Sequence, residues 1–365
     1  MRTRPAVAVL VAGALTLAAC SGDPEPATTS AAPTTASASP SATPTPTPDV
    51  VVEGAGAKLT AAVAEVYDGE SGIEAEAHLG TWKKQKVAVV TAGKDVTLLV
   101  GPRWKVVGGW WPSLDREPEL GTGPRFVLVL GSDARPGKTL KGTRADAIQV
   151  VGFDGKGGGG VLGMARDIWA PMPGGGNAKI NAAFAYGGGK GQLEAVKKVT
   201  GLPIEGYVVT GFGGFEKIVD GSGGLPMTIA KTVVLQGSTK VLKGERTLDG
   251  EHALAYARER KSLPDGDFGR SRHQGLQLIA AAVAARISGP GIIADEMTLV
   301  DEHAESDLTA EEALTFVASF YKVNPTKVGH EVAKGGFGTS PDGQSIVVLD
   351  GASRSAFEKF RDGRL

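Results

Sequence analysis

Three polar segments border apolar runs in this 365-residue chain. Gly131-Ser-Asp-Ala-Arg135 follows Arg125 to Leu130, Arg166-Asp167 follows Val161 to Ala165, and Arg144-Ala-Asp146 precedes Ala147 to Phe153. Asp133, Asp146 and Asp167 are hard oxygen donors. Arg135, Arg144 and Arg166 are permanent cations whose forked donors match phosphate. Farther on, Arg258 and Arg260 are two apart, so on an extended strand both point to one face, and Asp267, Arg270, Arg272 and His273 follow closely. Each pair alone reads as a surface ion pair. Brought together, the set describes a metal-assisted pyrophosphate site.

Secondary structure must bring them together. In open α/β sheets, polar residues just past an apolar strand lie at its carboxyl end, where ligands usually bind. Arg144 and Asp146 reach that same edge if the first two strands are antiparallel. Gly155 to Gly160 forms the turn between the second and third strands. Leu193, Val196, Lys197 and Thr200 keep a helical period, Tyr207 to Thr210 reads as a strand and Phe212 to Asp220 as a short helix. Helices over Gln274 to Ser288 and Ala310 to Tyr321 close the pattern. The alternation predicts a three-layer α/β/α domain with a central mixed sheet over residues 121–365. The tail, strand Ser345 to Leu349 and helix Ala352 to Asp362, returns to it. Residues 50–120 read as a small N-terminal accessory region, with a helix over Ala57 to Tyr67 and strands at Val87 to Val90, Val96 to Val100 and Trp104 to Trp111. Trp104, Trp110 and Trp111 form either a sugar-stacking platform or apolar core.

Composition removes several function classes. Lys plus Arg number 39 against 40 Asp plus Glu, a net charge of −1. No global attraction to a polyanion results, which disfavours nucleic acid as a partner. The lone Cys20 excludes an intramolecular disulfide framework and a cysteine-rich metal site. His78, His252, His273, His303 and His330 show no metal-ligand spacing. No Gly-x-Ser-x-Gly elbow occurs. Gly131 to Thr139 looks like a phosphate-binding loop, but five residues separate its glycines where that motif needs four.

The amino terminus carries an address. Arg2 and Arg4 precede an uncharged stretch, Pro5 to Ala19, that ends Leu17-Ala-Ala-Cys20. This is a signal-peptide layout over residues 1–19. Leu-Ala-Ala-Cys resembles a bacterial lipobox, which makes Cys20 the lipid-attachment residue and the cell membrane's extracytoplasmic face the location. The alternative is an ordinary secretory signal with an incidental cysteine. Residues 20–49, rich in Pro, Ser, Thr and Ala, then form an extended linker.

Six motifs, in order, carry a family resemblance: Val-Leu-Gly-Ser-Asp-x-Arg (129–135), Arg-x-Asp (144–146), Ala-Arg-Asp (165–167), Lys-Ile-Asn-Ala-Ala-x-x-x-Gly-Gly (179–188), Leu-Asp-Gly-x-x-Ala-Leu-x-Tyr-x-Arg-x-Arg (248–260) and Asp-Phe-Gly-Arg-x-x-x-Gln (267–274). The chain resembles the LytR-CpsA-Psr family from Phe126 to about Ile287. The resemblance implies an extracytoplasmic phosphotransferase. Such an enzyme moves a glycan phosphate from a polyprenyl-diphosphate donor to a peptidoglycan acceptor as a phosphodiester. Asp133 and Asp146 match the family's Mg²⁺ ligands, with Mn²⁺ as a substitute. Arg144, Arg166, Arg258 and Arg260 match its pyrophosphate-binding arginines, with Arg135 beside them. Asp267, Arg270 and Gln274 match the motif that closes the head-group site. The resemblance also implies an apolar tunnel for the lipid between sheet and helices. Catalysis is assigned to Arg166, Arg258 and Arg260, with Asp167 as the carboxylate that orients or deprotonates the acceptor hydroxyl. Two positions depart from the pattern: His273 stands where a second arginine is common, with Arg272 one place earlier, and Gly275 replaces a second glutamine. A pyrophosphatase using water and a non-enzymatic lipid-binding or sensor lipoprotein remain as alternatives. A transcription regulator conflicts with export and neutral charge.

Overall fold

The computed structural model describes residues 49–234 and 240–365. The signal-peptide and Cys20 expectations lie outside the described residues. The accessory region holds β1 (Val50–Glu53), α1 (Ala57–Ala64), β2 (Ile73–Trp82), β3 (Gln85–Ala92), β4 (Asp95–Val100), β5 (Lys105–Trp111) and β6 (Arg116–Glu119). Next come β7 (Arg125–Ser132), β8 (Ala145–Phe153), β9 (Gly159–Met164), β10 (Trp169–Pro171), β11 (Asn177–Lys179), α2 (Ala182–Thr200), β12 (Gly206–Thr210) and α3 (Phe212–Gly221). Short strands β13 (Leu225–Ile229), β14 (Val233–Val234), β15 (Lys240–Val241) and β16 (Gly244–Leu248) lead to α4 (Gly250–Arg258), α5 (Asp267–Ser288) and α6 (Ile292–His303). The chain closes with β17 (Glu305–Ser306), α7 (Ala310–Lys322), β18 (Val328–Ala333), β19 (Gly335–Thr339), β20 (Ser345–Leu349) and α8 (Gly351–Lys359).

The central sheet runs β17-β12-β7-β8-β9-β18. β12 is parallel to β7 and β18 to β9, whereas β7, β8 and β9 are successively antiparallel, so the sheet is mixed. Near-continuous apolar sequence in β7 follows from burial of both faces. Phe126, Leu128 and Leu130 pack with Phe184, Leu193 and Val196 of α2 and with Phe357 of α8. Val127, Val151 and Val161 face the other way, in one cluster with Met297 of α6 and Leu314 and Phe316 of α7. These are the three expected layers. The tail joins the first of them, because Phe360 is fully buried and meets Phe126 edge-on at 5.3 Å.

The accessory sheet, ordered β1 to β6, shares the second core. Strand alternation divides its side chains. Ala88, Val90, Leu99 and Trp111 meet Leu59 and Val63 of α1. Val87, Val89, Leu98 and Trp110 join the cluster that contains α6, α7 and the central sheet. Trp110 and Trp111 are therefore core, 6% and 0% exposed, and not a sugar platform. Trp110 stacks on Tyr321, and the Trp111 indole donates to Thr97 Oγ1 at 2.9 Å. A buried cation ties the layers at the opposite end of β7. Arg125 grips Glu205 through two hydrogen bonds of 2.8 and 2.6 Å and also donates to Leu120 O and Thr315 Oγ1.

Helix α5 starts at Asp267, seven residues before the expected Gln274. Its first turns are buried but polar, so they lack an apolar period. It lies on β8 and β9 at close range. A Cβ on Gly163 would stand 2.5 Å from Ser271 Oγ, and one on Gly275 would stand 2.1 Å from the His330 ring. Gly275 is thus explained by the imidazole that fills its place. Arg258 and Arg260 are not on a strand: α4 ends at Arg258, and Glu259 is extended (φ −67°, ψ 130°). The tail strand β20 pairs with β19 in a hairpin outside the central sheet.

Two stability outcomes follow from the His330 contact. Gly275→Ala should destabilise the fold by about 1–3 kcal/mol in chemical denaturation, and His330→Ala should offset part of that loss in a double-mutant cycle. Burial, reinforced by the Arg272 guanidinium, lowers the His330 imidazole to about 4. The unfolded chain then binds a proton that the folded chain refuses, so stability should fall as pH drops from ~6.5 to ~4. Thermal unfolding across that window should show a shallower acid loss in His330→Gln.

Candidate active site

The antiparallel pairing of β7 and β8 places the end of one beside the start of the other, Ser132 opposite Ala145. Asp133 closes this ladder. Its amide donates to Arg144 O at 3.0 Å, and its Oδ1 accepts from the Arg144 amide at 2.9 Å. The second carboxylate oxygen has no hydrogen bond among the described residues. Arg166 and Asp167 follow β9 at the same edge, and Asp146 sits one residue into β8.

Helix α5 covers this edge with its first turn. Arg166 Nη1 donates to Asp146 Oδ2 at 2.7 Å, while Arg270 Nη1 approaches the same oxygen at 4.0 Å. Asp267 Oδ1 lies 2.7 Å from Arg270 Nη2 and 3.9 Å from Arg166 Nε. Two arginines and two aspartates thus alternate in a closed set. Asp167 extends it, 3.9 Å from Arg166 Nε and 3.0 Å from Lys179 Nζ. Burial opposes the Arg166 charge, but the Asp146 hydrogen bond and the nearby Asp267 and Asp167 outweigh it and raise the guanidinium above its ordinary value. Deeper burial lowers that of Arg270, with Arg166 and Arg260 adding to the effect. Both remain cationic at neutral pH.

The charges are paired, yet their hydrogen-bonding capacity is unfilled. Asp146 Oδ1, Arg166 Nε, both oxygens of Asp267 and Arg270 Nε are buried without a hydrogen-bond partner. The 2.7 Å contact of Asp267 with Arg270 is an ion pair lacking hydrogen-bond alignment. Each orphan of this kind costs about 1–3 kcal/mol, and native folds contain few of them. Their concentration at one edge points to a polar ligand.

Exposed arginines surround the set. Arg135, Arg144, Arg258 and Arg260 have no carboxylate partner within salt-bridge distance among the described residues. The Arg258 guanidinium stacks 4.4 Å over the Phe212 ring, and the Phe212 amide donates to Ala134 O. That chain of contacts brings Arg258 to the loop after β7. Arg260, two residues on, lies outside any hydrogen bond or ion pair with the set among the described residues. Between them Glu259 is buried and accepts from the Ser262 amide, so the two flanking arginines point outward. Gln274 lies behind the edge. Its amide donates to Ala257 O at 3.0 Å and accepts from Gln149 Nε2 at 3.4 Å, which holds the end of α4 against α5 and β8. Gln274 therefore holds the end of α4 that carries Arg258, with one of its two amide N–H groups engaged.

Lys179 and Phe212 were not singled out from sequence. Lys179 stands in the Lys-Ile-Asn run, which signalled a motif without a role. No sequence signal marks Phe212.

Among the described residues, no three His, Cys, Asp or Glu side chains gather as a metal-binding group. Asp133 and Asp146 are two carboxylates with an unpartnered oxygen each. This suits Mg²⁺, which is commonly held by one or two carboxylates with water and phosphate oxygens completing the shell. On the helical side of the sheet, Val151, Val161, Ile279, Ala282, Phe320 and Val328 line an apolar cavity of about 10 Å³, room for about one water.

Comparison with known proteins agrees with the fold. The LytR_cpsA_psr family matches residues 111–359. The regulatory protein MsrR of Staphylococcus aureus (strain Mu50) is 38% identical over 164 residues, covering 43% of this chain and 48% of MsrR. The polyisoprenyl-teichoic acid–peptidoglycan teichoic acid transferase TagT of Bacillus subtilis is 32% identical over 200 residues, 52% of this chain and 61% of TagT. The chain thus spans about half to three-fifths of these relatives' length. The structure of TagT bound to LI-WTA superposes with a TM-score of 0.57 at 26% identity, over 68% of this chain and 94% of TagT. TagV of B. subtilis gives 0.55 at 27%, over 67% and 100%. The family match contains every residue of the charged edge, and the chain belongs to the LytR_cpsA_psr family.

Proposed function

We propose that this protein transfers a glycopolymer from a polyprenyl-diphosphate carrier to peptidoglycan and leaves a phosphodiester link. The observation that carries this reading is the alternating Arg166, Asp146, Arg270 and Asp267 set with its orphaned polar atoms. Arg166 Nε and Arg270 Nε are unfilled donors for phosphate oxygens, the unfilled Asp146 and Asp267 oxygens suit a cation or a hydroxyl donor, and four exposed arginines without carboxylate partners lie on neighbouring segments. TagT, whose name states teichoic acid transfer to peptidoglycan, supports the substrate class.

In this reading Arg144, Arg166, Arg258 and Arg260 hold the two phosphates of the donor. An acceptor hydroxyl oxygen forms a bond to the phosphorus that bears the glycan. The bond from that phosphorus to the bridging oxygen breaks, and polyprenyl monophosphate leaves with the electron pair. Asp167, steadied by Lys179, takes the hydroxyl proton. When bound at Asp133 and Asp146, Mg²⁺ or Mn²⁺ supplies charge neutralisation to the departing phosphate. The arginines stabilise charge on the transferred group. Cys20 carries the lipid that keeps the enzyme at the extracytoplasmic face, and residues 20–49 space it from the membrane.

Transfer of a radiolabelled glycan from a short-chain polyprenyl-diphosphate donor to purified peptidoglycan tests the assignment. Arg166→Ala and Asp146→Asn should each lower the rate by about 10²–10³-fold, and a chelator should abolish transfer until Mg²⁺ is restored. Full activity in both variants would refute the site. Release of the glycan phosphate to water, with none joined to peptidoglycan, would identify a pyrophosphatase instead. In cells, Cys20→Ala should move the protein from the membrane fraction to the medium, and unchanged membrane retention would contradict the lipid anchor.

A further inference from the structure

The β19–β20 hairpin is fastened to the reacting edge and carries an aromatic ring that the fold does not use. The Val347 amide donates to Asp167 O at 2.9 Å, and Val347 forms a bridge with Ile168. Phe337 pairs directly with Val347. Strand spacing therefore puts Phe337 about 10 Å, two strand separations, from the backbone beside Asp167. At the other side its ring approaches that of Phe268, the neighbour of Asp267, with centroids 6.2 Å apart. Phe337 is thus tied by the hairpin backbone to Asp167 and by its ring to the first turn of α5.

The Phe337 ring is 80% exposed. Its neighbours are Gly335, Gly336 and Gly338, and a Cβ on Gly336 would meet nothing within 4 Å. Beyond Phe268 on one side, no neighbour in sequence shields the ring, so a flat ligand has access to its open face. An exposed phenyl contributes little to the fold, whereas covering it with the C–H face of a sugar removes apolar area from water and adds a stacking contact. Of the three tryptophans that sequence offered for this role, Trp110 and Trp111 are in the core and Trp104 is half-buried against the accessory core.

We propose that Phe337 is the stacking surface for the acceptor saccharide and sets the affinity for it. This rests on the transferase reading, which supplies a sugar hydroxyl as the nucleophile beside Asp167. The stacked ring fixes the acceptor so that a hydroxyl one or two sugars away reaches the phosphate site.

Binding, rather than turnover, separates this proposal from the reading beneath it. Full-length protein is titrated calorimetrically with purified, undecorated peptidoglycan glycan strands, with circular dichroism confirming the fold of each variant. Phe337→Ala should weaken binding about five- to tenfold, Phe337→Trp should retain it, and Phe337→Leu should not restore it. The proposal is overturned if Phe337→Ala binds like wild type, if leucine serves as well as tryptophan, or if wild-type protein does not bind the strands. It is also overturned if Phe337→Ala loses binding only to phospholipid vesicles, which would make the ring a membrane contact. Strand binding that depends on Phe337, without any transfer product, would defeat the transferase reading and leave the saccharide site standing.

Discussion

Arg166 and Arg270 share one partly dry edge, and that arrangement requires carboxylates between them. At an effective dielectric near 20, two like charges about 5 Å apart repel by roughly 3 kcal/mol. Asp146 comes from the start of β8 and Asp267 from the start of α5, and together they offset the repulsion. Much of the surrounding fold follows from delivering those two groups. β7 and β8 must be antiparallel for Asp133 and Asp146 to share an edge. Helix α5 must lie close on β9, which Gly163 permits, and the Gln149 amide fastens it through Ser271 and Gln274.

Such a set stabilises less than its count of ion pairs suggests, because partly buried charges lose hydration that pairing only partly repays. The orphaned atoms sharpen this point. A fold optimised for stability alone would direct Asp146 Oδ1 and Arg166 Nε to partners inside the protein. Here those groups stay unfilled, and the exposed arginines on three separate segments stay free of carboxylates. On the proposed reading a phosphate anion with its counter-cation completes the edge, although the whole chain has a net charge of only −1.

Much of this edge was legible in sequence, because an apolar strand ending in Ser-Asp-x-Arg or Arg-Asp marks both an element and its chemical end. Other parts were hidden for physical reasons. The first turns of α5 bury Arg270, Ser271, His273 and Gln274, so polar residues occupy the positions where a periodic reading looks for apolar ones. Arg258 and Arg260 suggested a strand from their spacing alone, yet one extended residue, Glu259, is enough to send both outward. The tryptophans were ambiguous because strand alternation is unreadable until register is known. Gly275 looked like a lost glutamine, but its meaning lies in His330, on a strand far along the chain. The strands β14 and β15 are only two residues long and β19 is mostly glycine, so neither length nor apolar pattern marks them.

The central claim is that the two aspartates and the arginines at this edge hold one metal-bound diphosphate. The most direct test is ³¹P NMR of a short-chain polyprenyl diphosphate on the full-length protein, recorded during addition of Mn²⁺. Strong broadening of the phosphorus lines is expected with wild-type protein, greatly reduced broadening with the Asp133→Asn, Asp146→Asn double variant, and loss of the bound signal with Arg166→Ala. Equal broadening in the double variant, or undiminished lipid binding without Arg166, would contradict the claim.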